Sequence, residues 1–370
     1  MAKEWFDIKN VAEIDSPAFV VYIDRVKENI RLIKTMIDDV NRLRPHIKTH
    51  KTKEICLLLL EAGITKFKCA TIAEAELLGM AGAPDVLLAY QPVGPKLQRF
   101  ITLIKAYPTT IFSCLVDNDI TAKNISESAQ TEMITIPVFI DLNAGMNRTG
   151  VDIASDVAKL YETISSLKGI DVKGFHLYDG NIKDPDINKR KQESDLVFNR
   201  VEEIKNQLLE KGFEEPVIIA GGTPTFPIHA KRKNVECSPG TFVYWDAGYV
   251  QNFKEQPFLP AALVVTRIIS MPSKTKICLD MGHKSVAAEN DIHNRVVFLN
   301  APDAKPFSQS EEHLVAEVSE NHSYKIGDVL YALPVHICPT AALYEQSYIV
   351  ENGEVITIWK TAARDRKILI

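Results

Sequence analysis

Between residues 18 and 246 of this 370-residue chain, short apolar runs of strand character alternate with segments of helical periodicity. That alternation restricts the fold more than any other feature. The runs at 18–23, 66–70, 85–90, 110–116, 134–142, 171–177 and 216–221 have strand length and are rich in β-branched and aromatic residues. Between them, Val26, Ile30, Ile33 and Ile37 recur at spacings of four, three and four, and Val197, Val201, Ile204 and Leu208 mark a second stripe within 191–210. Asp24 is expected to cap the first of these helices. Strands separated by helices pair in parallel. Counted from a strand ending near Lys48 to a last one within 234–246, the series gives eight, which favours an α/β fold of the closed (β/α)8 TIM barrel type over an open doubly wound sheet.

After about residue 250 helical periodicity nearly vanishes. The segments 261–270, 275–280, 295–299, 314–318, 328–333 and 347–359 are short and β-rich, with turns expected at Met271-Pro272-Ser273 and Glu351-Asn352-Gly353-Glu354. The expected organisation is a barrel over 24–249 and a β-rich domain that joins 1–23 to 250–370. A net charge of −5 with 25% charged residues describes an ordinary surface, and the basic residues are scattered, so nucleic acid is not an expected partner. The opening residues lack the apolar core of a leader, and no run is long enough to span a bilayer, so a cytoplasmic location and no membrane partner are expected. Six cysteines at 56, 69, 114, 237, 278 and 338 form no CxxC pair, against a disulfide framework or a four-cysteine zinc module.

Barrel enzymes carry their chemistry at the C-terminal ends of the strands. The segment Arg44-Pro45-His46-Ile47-Lys48-Thr49-His50-Lys51 lies at one such end. Strand alternation would put His46, Lys48 and His50 on one face and leave Lys51 off it. An amine between two histidines suits Schiff-base chemistry, because nearby positive charge and desolvation both favour its neutral form. A solvated basic turn is the plainer alternative. Arg148, in Asp141–Gly150, can reach over the barrel mouth toward an anion, a surface charge being the plainer alternative. His176 and Tyr178 share a strand face, either as a proton relay and cofactor platform or as hydrogen-bonded core. Gly221, Gly222 and Thr223 can gather backbone N–H groups and a hydroxyl around a phosphate one strand before closure. Tyr249 can contact phosphate or substrate, or simply pack. His336 and Cys338, two apart on a strand and about 7 Å from one another, can share a metal, the plainer alternative being a buried cysteine beside an ordinary histidine.

RPHIKTHKT resembles the signature of fold-type III pyridoxal phosphate (PLP) enzymes grouped with D-threonine aldolase and eukaryotic-type D-serine dehydratase, distant relatives of alanine racemase. The resemblance extends to GMNRTG, AGGT, PGTF and the His336-x-Cys338 segment, and so covers both regions. It implies that Lys48 carries the cofactor, that Arg148 faces its ring hydroxyl, that Gly221, Gly222 and Thr223 hold its phosphate, and that His336 and Cys338 bind a catalytic divalent metal. A thiolate ligand favours zinc; manganese and magnesium suit the carboxylate variants. Aldolase-like members carry a histidine just after the Tyr-x-Gly, where this chain has Asn181. The resemblance further implies a homodimer acting on a small D-amino acid. HLYDG is similar to aldolase-like members, which convert D-threonine to glycine and acetaldehyde, whereas Cys338 is similar to dehydratases, which convert D-serine to pyruvate and ammonia. An amino-acid racemase and a non-catalytic PLP-binding protein are the further alternatives.

Overall fold

The computed structural model describes residues 4–370. The chain divides into two compact units of non-contiguous stretches: one takes the chain up to Leu32 with Thr49–Glu54 and Thr241–Arg364, the other takes Ile33–Lys48, Ile55–Gly240 and Asp365–Ile370. Strand β1 (Ala18–Tyr22) belongs to the first. In the helix that follows, Ile23–Thr35, the stripe Val26, Ile30 and Ile33 is buried as its spacing required. Asp24 does not precede this helix but lies in its first turn, where its carboxylate accepts the Asn352 N–H at 3.0 Å.

The second unit is the barrel. Its strands β2 (Lys66–Cys69), β3 (Asp85–Leu88), β4 (Ile111–Val116), β5 (Ile136–Asn143), β7 (Ile170–Tyr178), β8 (Val217–Ala220) and β9 (Val235–Cys237) pair in parallel in that order, with a two-residue β6 (Val151–Asp152) beside the end of β5. Residues 43–46 supply the eighth stave through two single bridges, Leu43 with Cys237 and His46 with Lys68. Their hydrogen bonds join both edges: Arg44 N–H to Cys237 O at 2.8 Å, His46 N–H to Pro239 O at 3.0 Å and Lys68 N–H to Pro45 O at 2.9 Å. The expected strand through His50 stops there. Pro45 has no N–H to extend a ladder, and Ile47–Thr49 turn into a 3₁₀ helix. The (β/α)8 architecture therefore holds, although its first stave is shorter than the alternation suggested.

Leu87, Leu115, Phe139 and Ile219 from four strands pack together as the barrel core. Arg44, 2% exposed, joins the closing stave to its neighbours, donating to both Asp85 oxygens at 2.6 and 2.9 Å and to Glu236 at 2.7 Å. Removing a single partner would leave buried charge, so the cluster is costly to disturb. Outside the strands, the expected helix over 191–210 runs as Ile187–Glu210, capped by Asp186 on the Asn188 N–H.

In the first unit, β10 (Ala262–Ser273), β11 (Lys276–Leu279), β12 (Val296–Phe298), β13 (Lys305–Gln309), β14 (Leu314–Glu317), β15 (Val329–Pro334), β16 (Gln346–Glu351) and β17 (Glu354–Lys360) join β1 in one sheet. β1 lies antiparallel to β10 and parallel to β16, so the N-terminal segment folds into the C-terminal β-domain as expected. Phe6, Ile8 and Ile14 complete its core against Val20, Leu263, Val265 and Val350. The turn expected at Met271–Ser273 is instead the end of β10, with the hairpin reversing at Lys274-Thr275. No helix among the described residues is long and apolar enough to cross a membrane.

Candidate active site

Within the barrel unit a cavity of about 200 Å³ opens among Lys48, Lys68, Asp141, Arg148, His176 and Tyr178. The Tyr178 ring, at the end of β7, is its centre. Lys48 Nζ lies 5.9 Å, Lys68 Nζ 5.6 Å and Arg148 Cζ 5.1 Å from the ring centroid, distances at which an aromatic face attracts cations. Lys48 arrives on the 3₁₀ turn, whose entry is fixed by its own N–H donating to His46 Nδ1 at 3.3 Å. His46 also lines the cavity, but His50 does not. Burial, helped by the charge of Lys51, pushes the His50 imidazole down to about 3. A neutral ring supplies no positive charge to a neighbouring amine, so the expected influence of His50 on Lys48 is absent.

His176 and Tyr178 share a face of β7, as alternation required, and the structure adds partners that the motif reading missed. His176 Nδ1 lies 2.7 Å from Asp141 Oδ1, and its Nε2 lies 3.3 Å from Lys68 Nζ. Burial raises the Asp141 carboxyl, but the bond and charge of His176, the Thr149 hydroxyl and Lys68 outweigh it and hold the carboxyl below its ordinary value. Burial and the charge of Lys68 push His176 down. The arrangement is thus a neutral ring that donates Nδ1–H to an ionised Asp141 and accepts from Lys68 at Nε2. Lys68 alternates with Lys66 in β2, which in sequence suggests a solvent face. The structure instead buries it, 3% exposed, on the cavity wall, between His46 of the closing stave and Leu87 of β3.

The Gly221-Gly222-Thr223 loop follows β8. Gly221 has φ +78°, and a Cβ there would stand 2.6 Å from His229 Cδ2 and 2.8 Å from Thr225 Oγ1; one on Gly222 would stand 3.0 Å from the Tyr178 ring. Side chains are therefore excluded where backbone N–H groups must approach an anion. Asp179, next to Tyr178, braces this loop by accepting from Thr225 Oγ1 at 2.8 Å and pairing with His229 Nε2 at 2.8 Å. Thr223 Oγ1 accepts the Gly240 N–H at 3.1 Å, and the buried Ser238 hydroxyl has no hydrogen-bond partner among the described residues. An orphaned hydroxyl, a glycine cradle and a cation-rich cavity with a lysine suit PLP, a phosphorylated aldehyde. Asn181, in place of the expected histidine, sits beside Gly145 rather than on the cavity wall.

The His336/Cys338 pair lies in the other unit. Contrary to expectation it is not on a strand: β15 ends at Pro334, His336 is the N-cap of the short helix Ile337–Ala341, and Pro339 lies inside that helix. Proline suits a first helical turn, where N–H groups have no intrahelical partner. Asp246 holds this turn, accepting the Ile337 N–H at 3.0 Å while also capping Ala247–Asn252 through the Tyr249 N–H at 2.9 Å. The Cys338 sulfur is the main influence raising His336, to about 9, with Glu289 adding and burial opposing. Glu289 engages His336 Nδ1, as carboxylates do behind metal-bound histidines. Thr49 Oγ1, at 3.2 Å, and Thr241 Oγ1, at 3.7 Å, also lie beside the sulfur. Among the described residues no three His, Cys, Asp or Glu side chains converge to hold a metal. An adjacent imidazole and thiol nevertheless suit a zinc whose other positions go to water and substrate. Tyr249 packs on Trp245 and Phe253, each at 5.1 Å between ring centroids.

A larger groove of about 630 Å³ in this unit runs along Ala12–Ser16 and Arg267–Ile269. Two of its charged residues are already engaged: Arg267 donates to the Ile14 and Val11 carbonyls, and Asp280 accepts from Thr266 and Ser16. It offers no reactive group comparable to those of the barrel cavity.

Comparison with known proteins agrees with both units. Residues 21–247 match the family model described as alanine racemase, N-terminal domain, and residues 261–350 match the putative serine dehydratase domain. The chain is 27% identical to the D-threonine aldolase of Arthrobacter sp. over 361 residues, covering 96% of this chain and 94% of the relative. It is 24% identical to the 3-hydroxy-D-aspartate aldolase of Paracoccus denitrificans, covering 96% and 93%. The crystal structure of D-threonine aldolase from Filomicrobium marinum superposes with a TM-score of 0.88 at 25% identity, covering 98% of this chain and 99% of that one. These relatives are lyases, and PLP is the cofactor expected of the family. With its barrel matched over most of its length and its β-domain matched separately, the chain belongs to the alanine racemase N-terminal domain family, joined to a serine dehydratase-type domain.

Proposed function

We propose that the protein is a PLP- and divalent-metal-dependent lyase acting on D-3-hydroxy amino acids, a D-threonine aldolase that releases glycine and acetaldehyde. The observation that carries this reading is the gathering of Lys48, Lys68 and Arg148 around Tyr178 in a barrel of this family. When bound, PLP supplies an electron sink for charge at the substrate Cα. Lys48 would hold the cofactor covalently, Arg148 would meet its ring hydroxyl, Tyr178 would pack on the ring, and Gly221, Gly222 and Thr223 would bind the phosphate. His336 and Cys338 would hold a metal, zinc before manganese or magnesium, whose chemistry is Lewis-acid binding of a β-hydroxyl.

D-serine dehydratase is the second reading, supported by Cys338 and by the dehydratase domain match over 261–350. The test is to treat the purified protein with a chelator, restore zinc, manganese or magnesium in turn, and assay acetaldehyde from D-threonine and pyruvate from D-serine beside the L-enantiomers. Acetaldehyde that appears only from the D-substrate and only with metal is the expected result. Metal-dependent pyruvate from D-serine without acetaldehyde would move the assignment to the dehydratase. Full activity after chelation would remove the metal role and leave an amino-acid racemase as the better reading.

A further inference from the structure

Lys68 helps to gather the cations of this cavity but is given no chemical step in the reading above, although it is the most deeply buried of its amines. It is 3% exposed, and its Nζ has no carboxylate partner among the described residues; it bonds to a neutral imidazole instead. The charged groups around it come from every neighbouring element: Lys48 on the 3₁₀ turn, Arg44 on the closing stave, Asp141 on β5 and Asp179 after β7, with His46, His176 and Arg148 beside them. A lysine kept only for stability would be expected to find a buried anion, as Arg44 does.

We propose that Lys68 is a second proton-exchanging amine of this cavity, serving as the base for the substrate hydroxyl, and that Asp141 positions it through His176. The proposal rests on the cavity being the lyase site, and it supplies a group that Asn181 cannot. The chain Asp141–His176–Lys68 fixes the imidazole tautomer, so that Nε2 presents a lone pair and aims one Lys68 N–H, leaving the remaining positions on Nζ toward the cavity. Burial, then the charge of Lys48, push the Lys68 amine down to about 7 against the pull of Asp141 and Asp179, so both of its protonation states are populated near neutrality. In the aldol cleavage the substrate O–H bond breaks and its proton forms an N–H bond on Lys68. The oxygen electron pair becomes the aldehyde carbonyl as the Cα–Cβ pair passes to Cα. The proton taken from oxygen is balanced by the one that Cα gains in glycine, so no oxidant or reductant is needed.

Two measurements test this. Trace acetylation of cofactor-free protein with acetic anhydride from pH 5.5 to 10, read peptide by peptide by mass spectrometry, should show Lys68 reactivity rising near pH 7, and Asp141→Asn should move that midpoint. A rise only near pH 10, as for an ordinary lysine, or no labelling of the folded protein, would overturn the proposal. In PLP-loaded protein, Lys68→Met should keep the cofactor absorption band while kcat on D-threonine falls about 100-fold or more with a smaller change in KM. Lys68→Arg, which keeps the charge but cannot give up a proton, should be equally slow; activity restored by arginine would make the residue structural. If wild-type protein takes up no PLP, the underlying reading of the cavity fails, whereas ordinary Lys68 reactivity in a PLP-binding protein overturns this inference alone.

Discussion

Lowering the pH from 7.5 to 5 should cost this protein stability through one buried imidazole, His50. The ring is 1% exposed, its Nδ1 accepts the Thr52 N–H at 3.2 Å, and its Nε2 has no hydrogen-bond partner among the described residues. Burial, with help from Lys51, takes it from its ordinary 6.5 down to about 3. For a base with a depressed folded value, the stabilisation is complete above 6.5 and is lost as pH falls from 6.5 toward 3, because only the unfolded ring takes up the proton. At pH 5 the loss comes to about 2 kcal/mol, rising toward roughly 5 kcal/mol below pH 3 if the whole displacement is realised. Urea unfolding of wild type and His50→Gln at both pH values isolates this contribution. Wild type should lose about 2 kcal/mol more than the variant between pH 7.5 and 5; an equal loss in both would refute the reasoning.

Three other consequences follow. Gly221→Ala forces a Cβ against His229 and Thr225 at φ +78°, a strain of roughly 1–3 kcal/mol, so PLP affinity should fall about tenfold to hundredfold in a fluorescence titration. Arg44→Met leaves Glu236 and Asp85 without their guanidinium and should destabilise the barrel by about 3–5 kcal/mol in urea unfolding; a loss below 1 kcal/mol would show the cluster to be dispensable. In solution the protein should be a homodimer, and light scattering that returned the chain mass of 41.4 kDa would refute it.

The barrel is legible because most of its strands are apolar runs separated by helical segments, and burial on both faces of a parallel strand leaves that pattern in the sequence. The closing stave was misread for a local reason. Residues 43–46 are held by single bridges, so period-two reasoning carried past His46 into a segment with no ladder to keep it extended. The residue types of His336 and Cys338 are legible in the sequence but their placement on a strand is not correct, because the apolar run before them ends at Pro334 and a short helix begins at Ile337. Arg148, marked by its motif, and Tyr178, marked by strand alternation with His176, do meet in one cavity. Lys68 and Asp141 were not singled out, because their importance lies in partners 108 and 35 residues away. Local spacing carries no trace of such pairings. Asp179 was named within its motif, but its brace on the phosphate loop depends on Thr225 and His229, which only the closed barrel brings near.

The most direct measurement is borohydride reduction of protein saturated with PLP, followed by peptide mapping. The account predicts a visible absorption band that reduction abolishes, with the cofactor mass fixed to the peptide containing Lys48 and fragmentation placing it on that residue. Lys48→Ala should lose the band while keeping the fold, as judged by circular dichroism. Label on Lys51 or Lys68, or none at all, would contradict the claim that Lys48 anchors the cofactor in this barrel.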